Sequence, residues 1–547
     1  MMVGPVLNGC PASSFYFQGC RKERRSGQLK QSTACVRFGP LHFLIPSHES
    51  RHSMGALCFH LHDAEKFDPQ VFQTAYVTGI EGIPWPCTTT RCGDQITIQR
   101  DIDESGKLHI VWPTRTYGNV ALMTTSLKVD SEVYNLPLEI CRGTLVRLRN
   151  QIFEWQRIGL RVAASTIQLS EQALDAFIRS VTTRDDQPLQ ASLAQESIEL
   201  ALRGAQELTN AFSTQMLDVR KQNENRLNTL LGVSLSPTLG LPSVSDAVCT
   251  AFNLVSLPVD LAAVELNSCK RDFSAFDRQL EWAREKGLRV CCGPMMKFRP
   301  GSLPRWMVLF EEGFENILSA ACAHVEETVN RYRGKVHLWN CGSGLNVPSE
   351  LDWNDEQVLR LAVSLIQTVR RVDPKTPVLL TIDQPWSEYL RSSIDGISPL
   401  HFADALIRAD LGLSGLALEM NLNSWPDGSL PRDPLEISRL IDRWSMLGLP
   451  LMITLSLPSG VSADPLVAAN RQPVTGWQNP RLNGEAEDTT ETIVRLLLAK
   501  QSVHALIFNQ ATDQLPHEFP NGGLWDAQGK SKALLPQLAR LRQQYLT

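Results

Sequence analysis

The chain has 547 residues, 43% of them hydrophobic and 20% charged, with a net charge of −5. That length exceeds one ordinary core, so two or three domains are expected. A pI near 6.2 without a dense Lys/Arg face excludes nucleic acid as an expected partner, and no apolar run reaches the roughly 18 residues that span a bilayer.

Residues 1–53 hold Cys10, Cys20, Cys35 and the basic run Arg21-Lys22-Glu23-Arg24-Arg25, with no helix or strand period and no signal-peptide pattern. Regular patterning starts at Met54-Gly-Ala-Leu-Cys-Phe-His-Leu61. The expectation is that Met54 is the true start and that 1–53 is a disordered leader or a mis-assigned one. With no export signal, a cytoplasmic setting is expected. The 13 cysteines agree with it: their number is odd, none forms a CxxC pair, and Cys291 and Cys292 are adjacent in an apolar stretch. Cys87 and Cys92 could pair, but free thiols are the favoured expectation. No metal or organic cofactor site stands out.

Residues 54–137 read as a β-rich, sandwich-like domain. Ile96-Thr-Ile-Gln99, Leu108-His-Ile-Val-Trp112 and Val120-Ala-Leu-Met-Thr-Thr125 are β-prone runs, broken by the turn chemistry of Asp103-Glu-Ser-Gly106 and Tyr117-Gly-Asn119. A helical region, 138–228, follows. Cys141, Leu145, Leu148, Ile152 and Trp155 recur at spacings of four and three, and Gly159 ends that helix. Leu174, Phe177, Ile178 and Val181 mark a second helix. Ile198, Leu202, Ala205, Phe212, Met216 and Val219 mark a long third one after Pro188. Such stripes can build a homo-oligomer interface, but packing on the neighbouring domains is the favoured expectation.

From 229 to 547 short apolar strands alternate with amphipathic helices, the pattern of parallel strands with helical crossovers. Eight candidate strands begin at Leu230, Leu254, Leu288, Val336, Val378, Gly415, Leu451 and Ala505. Eight units in just over 300 residues predict an α/β fold, a (β/α)8 TIM barrel, with any chemistry at the C-terminal ends of its strands.

Several strings of this region resemble glycoside hydrolase family 10, the xylanase family of retaining β-glycanases. They are Phe273-Ser-Ala-Phe-Asp-Arg-Gln-Leu-Glu-Trp-Ala283 with Lys286-Gly-Leu-Arg-Val290, then Leu303-Pro-Arg-Trp306 and Tyr332-Arg-Gly-Lys-Val-His-Leu-Trp339. Leu447-Gly-Leu-Pro-Leu-Met-Ile-Thr454 and Gly523-Leu-Trp-Asp-Ala-Gln-Gly-Lys530 complete the set. Their order covers nearly the whole barrel. The resemblance implies a β-linked oligo- or polysaccharide as the partner. It also exposes departures. Gly344 stands where the family carries its acid/base Glu, and Leu455 where it carries its nucleophile. Glu419-Met420-Asn421 replaces a Gln-x-His, Gly293 replaces a His, and Asn509 replaces a sugar-stacking Trp.

Retaining cleavage needs two carboxyl groups about 5–5.5 Å apart. Segments 341–346 and 453–460 contain no Asp or Glu. Other carboxylates sit at strand ends: Asp383, Glu419, Asp513 and Glu518. Asp383 and Glu419 lie on neighbouring strands, about 4.8 Å apart by sheet spacing, and two close carboxylates can share protons as acid and base. Asp383, Glu419 and Glu518 are therefore candidate catalytic residues. Their plain alternatives are a capping role for Asp383, a hydrogen bond to Asn421 for Glu419, and loop bracing by His517 and Glu518. Trp386, Asn421, Trp425, Asn509, Asp513 and His517 are candidate ligand-binding residues, with Trp477 and Trp525 as further loop indoles. The long polar stretch 458–489 reads as a lid or binding loop, or as disordered.

Three functions follow. The barrel binds a β-linked glycan without standard hydrolysis; or it is an active endo-β-xylanase-like enzyme with relocated carboxylates; or it is a non-catalytic assembly protein.

Overall fold

A computed structural model describes residues 55–546 apart from 130–131, 260, 268–269, 300, 310–312, 350, 352, 393–395, 461–463 and 468–485. The expected start at Met54, Trp477 and most of 458–489 lie outside the described residues.

All eight expected barrel strands form. They are Leu230–Ser234, Leu254–Leu257, Arg289–Cys292, Leu338–Asn340, Val378–Asp383, Gly415–Asn421, Leu451–Ser456 and Val503–Phe508. Each pairs in parallel with the next, and the eighth closes on the first. Because side chains alternate across a strand, half of each strand's residues fill the barrel. Leu254, Cys291, Leu379, Ala417, Met452, Ala505 and Ile507 form that inner apolar layer. The alternate residues pack outward against the crossover helices in the main core. The strands thus read as near-continuous apolar runs because both faces are covered.

The β-rich region holds two four-stranded sheets. Gly55–His60 pairs with Gln95–Arg100 and Val133–Asn135, and Thr88–Cys92 extends that sheet. Lys107–Thr114 lies between Tyr76–Thr78 and Gly118–Met123 in the other. Both sheets contribute to one apolar core, from Leu57, Phe59, Ile96 and Ile98 to Val77, Ile110 and Leu122. Cys87 and Cys92 are free thiols.

Three helices follow: Leu136–Arg157, Ala164–Thr182 and Gln187–Glu224. Asn135 caps the first and Asp186 the third, each accepting a backbone N–H, and both helices carry Pro in the first turn. The stripe from Cys141 to Trp155 is buried as expected. The second helix differs: it buries Leu169, Ala173, Ala176 and Ser180, while Ile178 is exposed. Small residues there let the third helix approach closely, and Ser197 Oγ donates to Ala173 O at 2.6 Å. The larger Phe177 and Leu174 sit at the edge of that contact, half-buried.

The third helix lies on the barrel. Arg220 Nη1 donates to Leu498 O at 2.7 Å, and Thr492 Oγ1 donates to Asn210 Oδ1 at 3.1 Å. Trp155 and Phe212 stack with centroids 4.1 Å apart, and Lys500 Nζ stands 4.8 Å from the Phe212 centroid while holding Asp442. The helical stripes pack within the chain, Cys141, Ile198 and Leu202 in the core of the β-rich region and Leu145, Leu148, Ile152, Trp155, Ala205 and Phe212 in the core of the barrel, while Ile178 and Val219 are exposed.

Candidate functional site

The C-terminal ends of the barrel strands change from apolar to polar. Ser234, Ser256, Asn340, Thr381, Glu419, Thr454 and Asn509 border a cavity of about 180 Å³ at the barrel mouth. Residues 293–299, after the third strand, cross this mouth. Gly293 has φ +119°, and a Cβ there would lie 2.2 Å from Asn340 O, so only glycine permits this path. The crossing delivers Lys297 and Arg299 to the centre.

Arg299 organises the site. Its Nε donates to Asp383 Oδ1 at 2.8 Å, its Nη2 bonds the same oxygen and also lies 2.7 Å from Glu419 Oε1, and its Nη1 reaches Glu518 Oε2 at 3.3 Å. The guanidinium also stands 5.7 Å from the Phe519 ring centroid. Burial opposes its charge, but Asp383, Glu419 and Glu518 together hold its pKa well above the ordinary arginine value. Asp383 is completed by Gly344 N–H, 2.6 Å from Oδ2, and its backbone is clamped by Asn346 on both sides. Asp383 and Glu419 are register partners on adjacent strands, as their sequence positions led one to expect. What they share is the Arg299 cation.

Glu419 accepts from Asn421 Nδ2 at 2.7 Å and from Asn509 Nδ2 at 2.9 Å. Burial pushes its carboxyl up; Arg299 opposes that rise, while Asp383 and Glu518 add to it. Glu518 sits at the rim, bonded by Lys297 Nζ at 3.2 Å.

The two family positions take different forms. Gly344 has φ +77°, and a Cβ there would lie 3.0 Å from Arg299 N, Arg299 Cγ and Phe298 C. The space for a side chain is already filled by Arg299. Leu455 belongs to the outer core between strand and helices, so it does not face the mouth. Thr454 is the residue of that strand that borders the mouth.

Several of the candidate ligand-binding residues sit away from the mouth cavity or are engaged within the protein. Trp386 is buried, with the Arg432 guanidinium 5.1 Å from its ring centroid, and borders neither the mouth nor the chamber beside it. Trp525 is buried and bridges to Thr512 and Ser531. Asp513 turns away from the mouth cavity: it accepts from Gln510 Nε2, Gly523 N and Lys532 Nζ. Asn421 is buried behind Glu419. His517 borders the mouth, but its ring is engaged by Leu515 O at 2.7 Å and Asp464 Oδ2 at 2.8 Å. Asp464, Asp513 and His517 bring ligand-type atoms within 4.8 Å of one another, and the Lys532 ammonium places a positive charge on Asp513 there. Asn509 and Glu518 border the mouth.

Trp425 borders a second chamber of about 210 Å³ on the other side of Arg299, together with Asp383, Gln384, Tyr389 and Asp427. Sequence reasoning missed Lys297, Arg299 and Gln384. The signal for the first two was two cations one residue apart, directly after a barrel strand and before the Leu303-Pro-Arg-Trp306 string.

The fold and site define a (β/α)8 barrel whose mouth is polar, small and centred on a buried arginine. No protein-family model matches the sequence, and no curated protein matches it. Solved structures similar to this chain include native xylanase 10B from Thermotoga maritima, at 15% identity and TM-score 0.44, covering 59% of this chain and 98% of that one. Xylanase 10B from Thermotoga petrophila RKU-1, solved in complex with xylobiose, is 14% identical with TM-score 0.43, covering 61% and 97%. A GH10 endoxylanase from a sugarcane soil metagenome is 14% identical with TM-score 0.43, covering 60% and 99%.

Proposed function

We propose that the barrel mouth binds a β-linked glycan without cleaving it by the two-carboxylate retaining mechanism. The observation that carries this reading is the placement of Arg299. Asp383, Glu419 and Glu518 all grip one guanidinium. A nucleophile must present a free ionised oxygen to the anomeric carbon, and an acid must present a proton to the leaving oxygen. Asp383 spends one oxygen on Arg299 and the other on Gly344 N–H. Glu419 takes Arg299, Asn421 and Asn509 all on Oε1. Glu518 spends one oxygen on Lys297 and the other on Arg299. Of the three carboxyls Glu419 alone keeps an oxygen outside these contacts, whereas retaining cleavage needs two working carboxyls. Acid–base assistance alone contributes roughly 10²–10⁴-fold in rate, so neutralised carboxylates cost most of the catalysis.

Binding is supported by the lining. Hydroxyls from Ser234 and Thr454 offer neutral donors and acceptors at the strand ends, beside Ser256, whose hydroxyl donates to Gly293 O, the paired Asn340 and Thr381, and Asn509, whose Nδ2 is given to Glu419. That chemistry suits a polyhydroxylated ligand. The cavity falls below the roughly 300–1,000 Å³ of common small-molecule pockets, so the mouth itself suits about one ring. The test is calorimetric titration with xylo-, cello- and manno-oligosaccharides beside an assay for released reducing ends. Saturable binding with no release is expected. Release that disappears in Asp383→Asn or Glu419→Gln would establish relocated catalysis and overturn the reading.

A further inference from the structure

The first two helices of the helical region, Leu136–Arg157 and Ala164–Thr182, turn one side into the cores and leave the other in solvent. The short link 158–163 joins them. Arg142, near the start of the first helix, stands 5.9 Å from the ring centroid of Phe177, near the end of the second. The two helices are therefore antiparallel neighbours, with position 142 level with positions 177–178. Equal steps in opposite directions from that pair set Val146 level with Leu174, Arg149 with Glu171, and Phe153 with Ile167.

On the first helix Arg142, Val146, Arg149, Phe153 and Arg157 recur at spacings of four and three, which is one side of a helix, and all are exposed. Phe153 is 66% exposed and Val146 40%; across the groove Ile178 is 51% exposed, with Leu174 and Ile167 half-buried on the same line. Charges flank the apolar residues, basic on the first helix and acidic on the second, where Glu171 and Asp175 are exposed one turn apart. Arg149, Glu171 and Asp175 form no ion pair among the described residues. A contiguous apolar line rimmed by charge marks an interaction surface, where single scattered apolar residues would not.

We propose that this face is an interface with a second copy of the chain, related by a two-fold axis running along the groove between the two helices. Such an axis keeps residues level and exchanges the helices, so the first helix of each copy lies on the second helix of the other. Val146 then meets Leu174, Phe153 meets Ile167 and Arg149 meets Glu171, each pair occurring twice. Charge complementarity names the occupant: the face carries its basic row and its acidic residues at matching heights, so it complements itself. Two helices about 28 Å long and about 10 Å wide present about 560 Å² per copy, so the pair buries about 1,100 Å². That area clears the roughly 1,000 Å² of a specific interface and suits a reversible, concentration-dependent dimer. The inference is independent of what the barrel mouth binds.

The test is analytical ultracentrifugation of the full chain from about 1 to about 100 μM, the range in which an interface of this size dissociates. The 61.0 kDa chain should give way to a species of twice that mass as concentration rises. Phe153→Glu puts a charge on the apolar line and should weaken the dimer at least about tenfold, while the melting temperature of dilute protein stays unchanged because the side chain is exposed. Arg149→Glu should weaken it about three- to tenfold, and adding Glu171→Arg in the same chain should restore the affinity to within about threefold of wild type. That rescue distinguishes a specific contact from a folding defect. A chain that stays at 61.0 kDa throughout, a dimer indifferent to Phe153→Glu, or a double charge variant no tighter than Arg149→Glu alone would overturn the two-fold interface.

Discussion

Replacing Arg299 by Met tests the electrostatic core of the site. Its side chain is 5% exposed, Asp383 is 1% exposed and Glu419 is 9% exposed, so solvent screens these charges little. Methionine fills part of the volume but leaves two buried carboxylates facing each other without a cation. Breaking a buried ion pair from one side typically costs about 3–5 kcal/mol, because the remaining charge is stranded. The cost should depend on pH in a definite direction. The Glu419 carboxyl is already raised by burial, against the pull of Arg299. Removing Arg299 leaves burial and the two neighbouring carboxylates opposed only by the amide hydrogen bonds to Glu419, so the carboxyl rises further. A carboxyl raised in the folded state favours folding when protonated and loses that contribution as pH rises through its folded pKa. Arg299→Met should therefore be most destabilised relative to wild type near pH 8 and should recover as pH falls toward the ordinary carboxylate range. Thermal melts from pH 8 to pH 4.5 read this, with the triple variant Arg299→Met, Asp383→Asn, Glu419→Gln as control. That triple variant should be more stable than Arg299→Met at pH 8. A pH-independent loss, or no recovery in the triple variant, would refute the reasoning and point to lost packing alone.

Further outcomes follow from the same geometry. Gly344→Ala should destabilise the protein by about 1–3 kcal/mol in chemical denaturation, since it puts a Cβ against Arg299 at a positive φ. For the same reason the double variant Gly344→Glu, Leu455→Glu should release no reducing ends and should unfold at lower temperature, because Leu455 faces the helices; recovered hydrolysis would show that the strand is read in the wrong register. His109 is buried against Tyr76, and burial, aided by Arg432, holds its pKa well below the ordinary histidine value. The unfolded chain then binds more protons, so stability is present above about pH 6.5 and declines below it by up to about 1.4 kcal/mol per pH unit. Melts of His109→Gln between pH 7.5 and 5.5 should show a flatter slope than wild type.

The barrel was legible because its signals are local and repeated. Each strand is a short apolar run set off by helical periodicity, and all eight appear where that alternation places them. The face of the second helix is poorly marked in the sequence because its buried side, apart from Leu169, is made of small residues, Thr166, Ser170, Ala173, Ala176 and Ser180, which carry little hydrophobic signal, while Ile178 is exposed. At the site, strand-end positions on neighbouring strands place Asp383 beside Glu419, and the two are register partners. What strand spacing cannot supply is the contribution of a crossing segment. Arg299 comes from outside the regular strands, and its role depends on the path that Gly293 and Gly344 allow. Trp386 and Asp513 were misplaced for a related reason: lying after a strand puts a residue near the mouth, but loop packing decides which way it turns. The insertion of Leu430 and Trp425 into the N-terminal core is a contact between segments over 300 residues apart, with no local pattern to announce it.

The central claim is that the mouth binds a glycan and leaves it intact. The most direct measurement incubates the full chain with β-linked xylans, glucans and mannans and follows reducing ends over a day, beside the Asp383→Asn and Glu419→Gln variants. The account predicts no release above the buffer blank from any polysaccharide, in wild type and variants alike, from protein that binds the matching oligosaccharide. Release by the wild type that either variant abolishes would contradict it, and would make the carboxylates around Arg299 the catalytic pair.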